Sequence, residues 1–214
     1  MKHLFLILVV ISLSGFGQDT DLHPGKVLMA QFNIIADNNK TIQLNPNDFL
    51  AYYNRGNAKF TLKTLIDKWG PEFSDEWAEG SDNYKNEAIS DYNKAIQLKP
   101  DYADAYYNRG TTKHYLQDYT GAIADYNKAI QLNPDDFGTY NNRGLAKNEL
   151  QDYNGAIADY NKSIQLNSDY YKAYYNRGNV KYYLKDKNGA CADWSKAGEL
   201  GYSKAYTSIK KYCQ

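Results

Sequence analysis

The feature that most constrains the fold of this chain is a six-residue block that returns at a fixed spacing. Its copies cover residues 105–110, 139–144 and 173–178, and each ends in Asn-Arg-Gly. A fourth copy at residues 51–56 comes earlier than this spacing predicts, which leaves an insertion between it and the next copy. A constant period of about 34 residues is typical of a helical solenoid, in which stacked helix pairs bury their apolar faces against their neighbours.

A second block follows each copy of the first and has the pattern of an amphipathic helix. In residues 121–134 the apolar side chains of Ile123, Tyr126 and Ile130 recur at helical spacing and form one stripe. Pro134 then ends the helix, because proline lacks the N–H that the next turn needs. The other copies lie at residues 87–100, 155–168 and, in weaker form, 189–202.

These blocks resemble the tetratricopeptide repeat family over about residues 28 to 212. The family places an aromatic residue and a Gly in the first helix, Ala and an aromatic residue in the second, and Pro after it. Tyr106, Gly110, Ala122, Tyr126 and Pro134 match that pattern in one unit. Two departures recur, with Arg where the family usually has Leu and Lys where it often has Tyr. They are Arg55, Arg109, Arg143 and Arg177, and Lys59, Lys113, Lys147 and Lys181.

The repeat and the resemblance predict an all-α fold. We expect a right-handed helical-hairpin solenoid of about three and a half tetratricopeptide units, followed by a C-terminal capping helix that covers the last repeat. The predicted segments are an N-terminal linker and half-repeat helix at residues 18–47, repeat units at residues 48–102, 103–136, 137–170 and 171–202, and the capping helix at residues 203–214.

Residues 1–17 have the layout of a secretory signal. Lys2 and His3 precede the apolar run of residues 4–13, and the small residues Gly15 and Gly17 follow it. The apolar run is about half of the ~20 residues that a spanning helix needs. We therefore expect cleavage after Gly17, no stable membrane insertion afterwards, and a periplasmic or secreted protein.

The insertion falls near residues 64–83, inside the first unit. This insert carries six acidic residues against one basic residue, together with Trp69, Phe73 and Trp77. Gly70-Pro71 predicts a helix break, which leaves either two lengthened helices or a short helical lid. The aromatic side chains either dock on the edge of the solenoid or form a partner-binding element.

Each recurrent Arg has an Asp partner at a constant distance along the chain. The separation is the same in three units, and in the first it is longer by the length of the insertion. An antiparallel helix pair can bring such residues together, so we expect a partly buried contact in each unit; the alternative is two solvated charges. The pairs are Arg55 with Asp91, Arg109 with Asp125, Arg143 with Asp159, and Arg177 with Asp193.

The chain has two cysteines, Cys191 and Cys213, on the last second helix and on the capping helix. Export makes oxidation possible and adjacent helices make contact possible, so we expect a disulfide. Two buried free thiols are the alternative.

Catalytic, cofactor and metal sites are not expected. The three histidines, His3, His23 and His114, are scattered, and neither a phosphate-binding Gly loop nor a nucleophile elbow is present. The 25 basic and 25 acidic residues give no net charge that would recruit nucleic acid.

The resemblance implies a non-catalytic scaffold or adaptor. In the family the first helices line the inner curve and hold a peptide or a helix of a protein partner; a structural or assembly subunit that uses its convex face or the acidic insert is the alternative function. The Lys and Arg clamp with which some members bind acidic chaperone tails is absent, with only Lys172 near the groove. The predicted groove residues are Tyr53, Asn57, Phe60, Tyr107, Thr111, His114, Tyr115, Asn141, Leu145, Asn148, Tyr175, Asn179, Tyr182 and Tyr183.

Overall fold

The computed structural model describes residues 24–73 and 83–213, which form ten α-helices and no strand. The predicted signal at residues 1–17 and residues 74–82 of the predicted insert lie outside the described residues. The helices are α1 Pro24–Leu44, α2 Phe49–Phe73, α3 Tyr84–Leu98, α4 Ala103–Tyr115, α5 Tyr119–Leu132, α6 Phe137–Glu149, α7 Tyr153–Leu166, α8 Tyr171–Tyr183, α9 Lys187–Glu199 and α10 Ser203–Tyr212.

The chain divides into two compact units, the first ending at Glu87 and the second beginning at Ala88. The second unit is the all-α repeat fold that the sequence predicts. It contains most of α3, the pairs α4–α5, α6–α7 and α8–α9, and the final helix α10, and successive helices from α4 onwards pack against each other. These elements amount to three and a half helix pairs and a cap.

The turn inside each helix pair of the second unit is built in the same way. In the middle pair, Gln151 adopts the left-handed conformation at φ 63°, and the side chain of Asp152 then accepts a hydrogen bond of 2.9 Å from the Gly155 N–H. A Cβ on Gly155 would lie 2.1 Å from the Asp152 carboxylate, so a larger residue there would displace the capping side chain. The reversal of direction is therefore encoded locally. The equivalent residues are Gln117, Asp118 and Gly121, and Lys185, Asp186 and Gly189.

The core of each pair is a large aromatic ring packed against a glycine. A Cβ on Gly144 in α6 would lie 2.7 Å from the ring of Tyr160 in α7, so the two helices approach closely only because position 144 has no side chain. Tyr160 and Ala156 are fully buried beside it. Gly110 with Tyr126, and Gly178 with Trp194, repeat the arrangement.

The first unit has longer helices than the repeats of the second. Helices α1 and α2 have 21 and 25 residues, whereas the complete pairs use 13 or 14 residues per helix. The added turns pack on each other, because Leu28 of α1 and Leu62 and Ile66 of α2 form one buried cluster that Phe32 and Ile35 border.

The predicted helix break at Gly70-Pro71 is wrong. Helix α2 continues through both residues to Phe73, whereas α3 has 15 residues and is close to the ordinary length. Thr64 stands where the later repeats have the capping Asp, and no glycine follows it three residues later. The chain therefore lacks the signal that ends the first helix elsewhere, and burial of Ile66 favours the continuation.

The C-terminal helix is tied to the last pair by a disulfide. Cys191 of α9 and Cys213, directly after α10, are bonded with a Cα–Cα distance of 5.8 Å. Helix α10 covers the buried residues Ala190, Trp194 and Ala197, which would otherwise face solvent at the end of the stack. None of the described helices is long and apolar enough to cross a bilayer.

Removing the disulfide should destabilise the second unit from its C-terminal end. The bond joins two residues with a sequence separation of 22. Loss of a cross-link over a loop of this size costs about 3 kcal/mol through the entropy of the unfolded chain. Denaturant unfolding of Cys191→Ala/Cys213→Ala beside the oxidised protein measures this difference. Equal unfolding midpoints would show that α10 stays packed without the disulfide.

Candidate partner-binding groove

The predicted groove residues of the second unit lie on α4, α6 and α8, and α6 contacts both α4 and α8. The side chains of Tyr115, Asn179, Tyr182 and Tyr183 are exposed. Half-buried members are Tyr107, Thr111, His114, Leu145, Asn148 and Tyr175, and in the first unit Tyr53, Asn57 and Phe60.

A chain of side-chain hydrogen bonds crosses the three helices. Asn142 donates through Nδ2 to the Tyr107 hydroxyl at 2.9 Å and accepts from Asn141 Nδ2 at 3.2 Å. Asn176 then donates to Asn141 Oδ1 at 2.9 Å. Four polar side chains thus fix the spacing of α4, α6 and α8.

This network corrects one predicted groove residue and adds two. Asn141 is only 2% exposed, so its amide holds the helices together and does not face a partner. Asn142 and Asn176 were not in the predicted set, although Asn directly before the recurrent Arg is itself part of the repeat. The repeat of that asparagine is the signal that could have found them.

Other predicted groove residues support the core beneath them. Thr111 accepts a hydrogen bond of 3.3 Å from the Tyr126 hydroxyl, and Asn179 accepts one of 3.0 Å from Trp194 Nε1. The ring of Tyr175 packs edge-on against Tyr202, with 4.8 Å between centroids. These groove side chains have structural roles in addition to any contact with a partner.

The middle repeat lacks this support. Leu145 occupies the position of Thr111 and Asn179, and the hydroxyl of the fully buried Tyr160 has no hydrogen-bond partner. Burial raises the pKa of Tyr160, so the phenol stays protonated. The unpaired hydroxyl is a local cost in stability.

His114 is a neutral packing residue in this structure. Its Nε2 atom is buried without a hydrogen-bond partner, and its ring lies edge-on to Tyr119 with 5.2 Å between centroids. Burial is the largest cause that lowers the pKa of His114, against a smaller opposing effect of Glu149. Among the described residues, no group of three or more His, Cys, Asp or Glu side chains is placed to hold a metal ion.

The structure brings together three of the four predicted Arg–Asp pairs. In the middle repeat, Arg143 donates from Nε and Nη2 to Asp159 at 2.9 and 2.5 Å, and Lys147 approaches the same carboxylate at 2.8 Å. Asp159 is 4% exposed, so the contact is buried and solvated charges do not describe it. The repeats of Arg109, Lys113 and Asp125, and of Arg177, Lys181 and Asp193, have the same contacts.

The arginine also reaches the preceding repeat, which the sequence analysis missed. Arg143 donates from Nη1 to Asn127 Oδ1 of α5 at 2.7 Å, and its guanidinium lies 5.4 Å from the centroid of the Tyr140 ring. An Asn recurs at one constant spacing before each Arg, and this spacing is the signal in the sequence. The other contacts are Arg55 to Asn39, Arg109 to Asn93 and Arg177 to Asn161. Arg55 and Asp91 belong to different units, and their pairing stays a prediction.

Helix pairs that stack through such repeated contacts form a helical-repeat fold, and comparison with known proteins identifies the class of repeat. The chain contains tetratricopeptide repeats: residues 103–136 match the tetratricopeptide repeat family, and residues 85–116 and 146–185 match the TPR repeat. No curated protein is significantly similar to the chain in sequence.

Solved structures show the same fold. The crystal structure of MamA has a TM-score of 0.63 at 21% identity, over 89% of this chain and 99% of that one. The first TPR of Spaghetti (RPAP3), bound to the HSP90 peptide SRMEEVD, has a TM-score of 0.51 at 27% identity, over 52% of this chain and 90% of that one. The TPR domain of Arabidopsis OM64 has a TM-score of 0.50 at 26% identity, over 51% of this chain and 93% of that one.

Asp159→Asn should destabilise the protein by about 3 to 5 kcal/mol, because it leaves the charges of Arg143 and Lys147 without their buried counter-ion. Asp169→Asn is the matched control, since Asp169 lies in the turn after α7 of the same repeat and is exposed. The control should change the free energy of unfolding by less than about 0.5 kcal/mol. Similar unfolding midpoints for both variants would contradict a structural role of the pair.

Tyr160→Phe and Tyr126→Phe should have opposite effects. Removing the unpaired hydroxyl of Tyr160 should stabilise the protein by about 1 kcal/mol, whereas removing that of Tyr126 loses its bond to Thr111 and should cost about 1 kcal/mol. Urea unfolding of the two variants beside the wild type tests this. Equal losses in both would mean that the Tyr160 hydroxyl has a partner in solution.

Proposed function

We propose that this protein is an exported, non-catalytic scaffold or adaptor whose second unit binds a peptide or protein segment along α4, α6 and α8. The fold supports the general role, since tetratricopeptide repeats are protein-interaction modules. The observation that carries the proposed site is the hydrogen-bonded set Tyr107, Asn142, Asn141 and Asn176. It holds three helices in one fixed arrangement, so that a partner meets a preorganised surface.

The exposed side chains beside this network suit a largely uncharged partner. Tyr182 and Tyr183 are 38% and 60% exposed, and aromatic side chains supply contact area at a small entropic cost. Asn179 and half-buried Asn148 supply amide groups for a peptide backbone.

The recurrent cations of the repeats are not free to bind an acidic ligand. Arg143 and Lys147 are committed to Asp159, and the other complete pairs repeat this arrangement. The Spaghetti structure contains the acidic peptide SRMEEVD. We propose a different ligand chemistry here, because Lys172 is the one basic residue expected near the groove from its position in the repeat.

Export is part of the proposal and rests on residues 1–17, whose charged start, apolar run and small residues have the layout of a secretory signal. Oxidation of Cys191 and Cys213 suits an extracytoplasmic location. We propose no role in catalysis, nucleic-acid binding or stable membrane insertion.

Affinity capture from an extracytoplasmic and membrane extract tests the groove, with Asn148→Ala/Tyr183→Ala beside the wild type. These positions are chosen because Tyr107, Tyr175 and Asn179 also support the core, whereas Tyr183 is 60% exposed and its ring packs on the half-buried Tyr153, with 4.6 Å between centroids. We expect the wild type to retain a partner that the variant retains at least tenfold less. The control variant Ala124→Gln/Ala158→Gln changes two exposed residues of the second helices α5 and α7 and should retain the partner.

Each other outcome has a distinct meaning. A partner that all three proteins retain would move the binding site to another face or to the insert, and so favour the assembly-subunit alternative. Deletion of residues 74–82 then decides between those two locations. Loss of the partner from the control alone would place the binding site on the second helices.

A further inference from the structure

Exposed apolar side chains in the second unit are concentrated at the turns inside the helix pairs. Leu116, Leu150 and Leu184 directly follow α4, α6 and α8 and are 39%, 48% and 44% exposed. We call these three leucines the turn row. Among the described residues of this unit, the other exposed large apolar side chains adjoin the same turns, apart from Tyr206: they are Tyr115, Tyr182 and Tyr183.

The turn row occupies one fixed position of the repeat. Each leucine lies seven residues after the recurrent Arg, and the first unit has a leucine at the same place, Leu62 after Arg55. Leu62 is 0% exposed. The leucine at this position of the repeat is therefore buried in the first unit and exposed in the second.

In the first unit, this leucine is buried in part by the apolar face of a helix. Leu28 of α1 is buried against Leu62 and Ile66, and Phe32 and Ile35 border that cluster. Leu28, Phe32 and Ile35 are spaced at i, i+4 and i+7, which places them on one face of α1. Helix α1 therefore shows that an apolar helix face can pack on the leucine at this position of the repeat.

We propose that the turn row is a second interaction surface, which binds an amphipathic helix of a partner protein through large apolar residues at i, i+4 and i+7. Three leucines with adjacent tyrosines on one edge form an apolar surface of the kind that marks interfaces. Leu116, Leu150 and Leu184 are not among the groove residues, whereas the adjacent tyrosines belong to both surfaces, so substitution of the leucines tests this proposal independently of the groove.

The charges along the turns define the polar face of the partner helix. The exposed carboxylates of Glu149, Asp118 and Asp152 lie at the first two turns, and at the third turn Asp186 lies between the exposed bases Lys185 and Lys187. Because carboxylates predominate, the surface favours a helix whose polar side chains are neutral or basic. Helix α1 has this character, with two lysines and one aspartate.

A synthetic peptide of residues 24–44 is the probe, since it contains the apolar face that packs on Leu62. Fluorescence anisotropy of the labelled peptide, titrated with the full chain, should show saturable binding. Leu116→Ser/Leu150→Ser/Leu184→Ser should weaken that binding at least tenfold. A peptide with Leu28→Ser and Phe32→Ser should not bind.

Tyr206→Ser is the control for general surface hydrophobicity, because Tyr206 is 57% exposed on α10, away from the turns. It should bind the peptide like the wild type. Circular dichroism checks that the triple variant is folded, and if it is not, Leu150→Ser alone decides, with an expected loss of about threefold. Absence of saturable binding to the wild type, or unchanged binding to the folded leucine variant, would overturn the proposal; unchanged binding would mean that the peptide exchanges with α1 of the first unit.

Discussion

One buried carboxylate in each helix pair fixes how the repeats of this protein are joined. Asp159 neutralises Arg143 and Lys147, and the arginine, held in place, extends its third nitrogen to Asn127 of the preceding pair. A single guanidinium therefore joins the two helices of its own repeat and the second helix of the repeat before. Because a buried charge is costly when unpaired, each of these positions depends on the others.

Because of this dependence, the recurrent Arg and Lys side chains stabilise the fold and are not available to recognise a ligand. A lysine or arginine that neutralises a buried aspartate cannot leave it to bind an acidic ligand without a large loss of stability. In the groove that we propose, recognition falls to tyrosine and asparagine side chains, some of which, such as Tyr107 and Asn142, also space the helices. Because Tyr107, Asn142, Asn141 and Asn176 are hydrogen-bonded to one another, they hold α4, α6 and α8 in one arrangement.

Small changes at the turn position distinguish the two units. In the second unit a residue at positive φ, a capping aspartate and a glycine reverse the chain directly after the leucine, which leaves that leucine at the surface. In the first unit Thr64 replaces the capping residue, the helix continues, and an extended α1 packs on the added turns. Loss of a local stop signal thus converts an exposed leucine into a core residue.

The constant period, the order of the helices, the Arg–Asp partners and the two cysteines were all present in the sequence, because each repeats or pairs at a fixed spacing that helix geometry translates into contact. The break at Gly70-Pro71 was predicted wrongly, because the burial of Ile66 outweighs a local preference. Asn141 could not be separated from Asn148 by its repeat position, since burial depends on the neighbouring helix. The sequence alone determined which residues repeat and hence the class of fold. The tertiary structure decided which of them are buried, bonded or exposed, because those properties arise only when helices pack against one another.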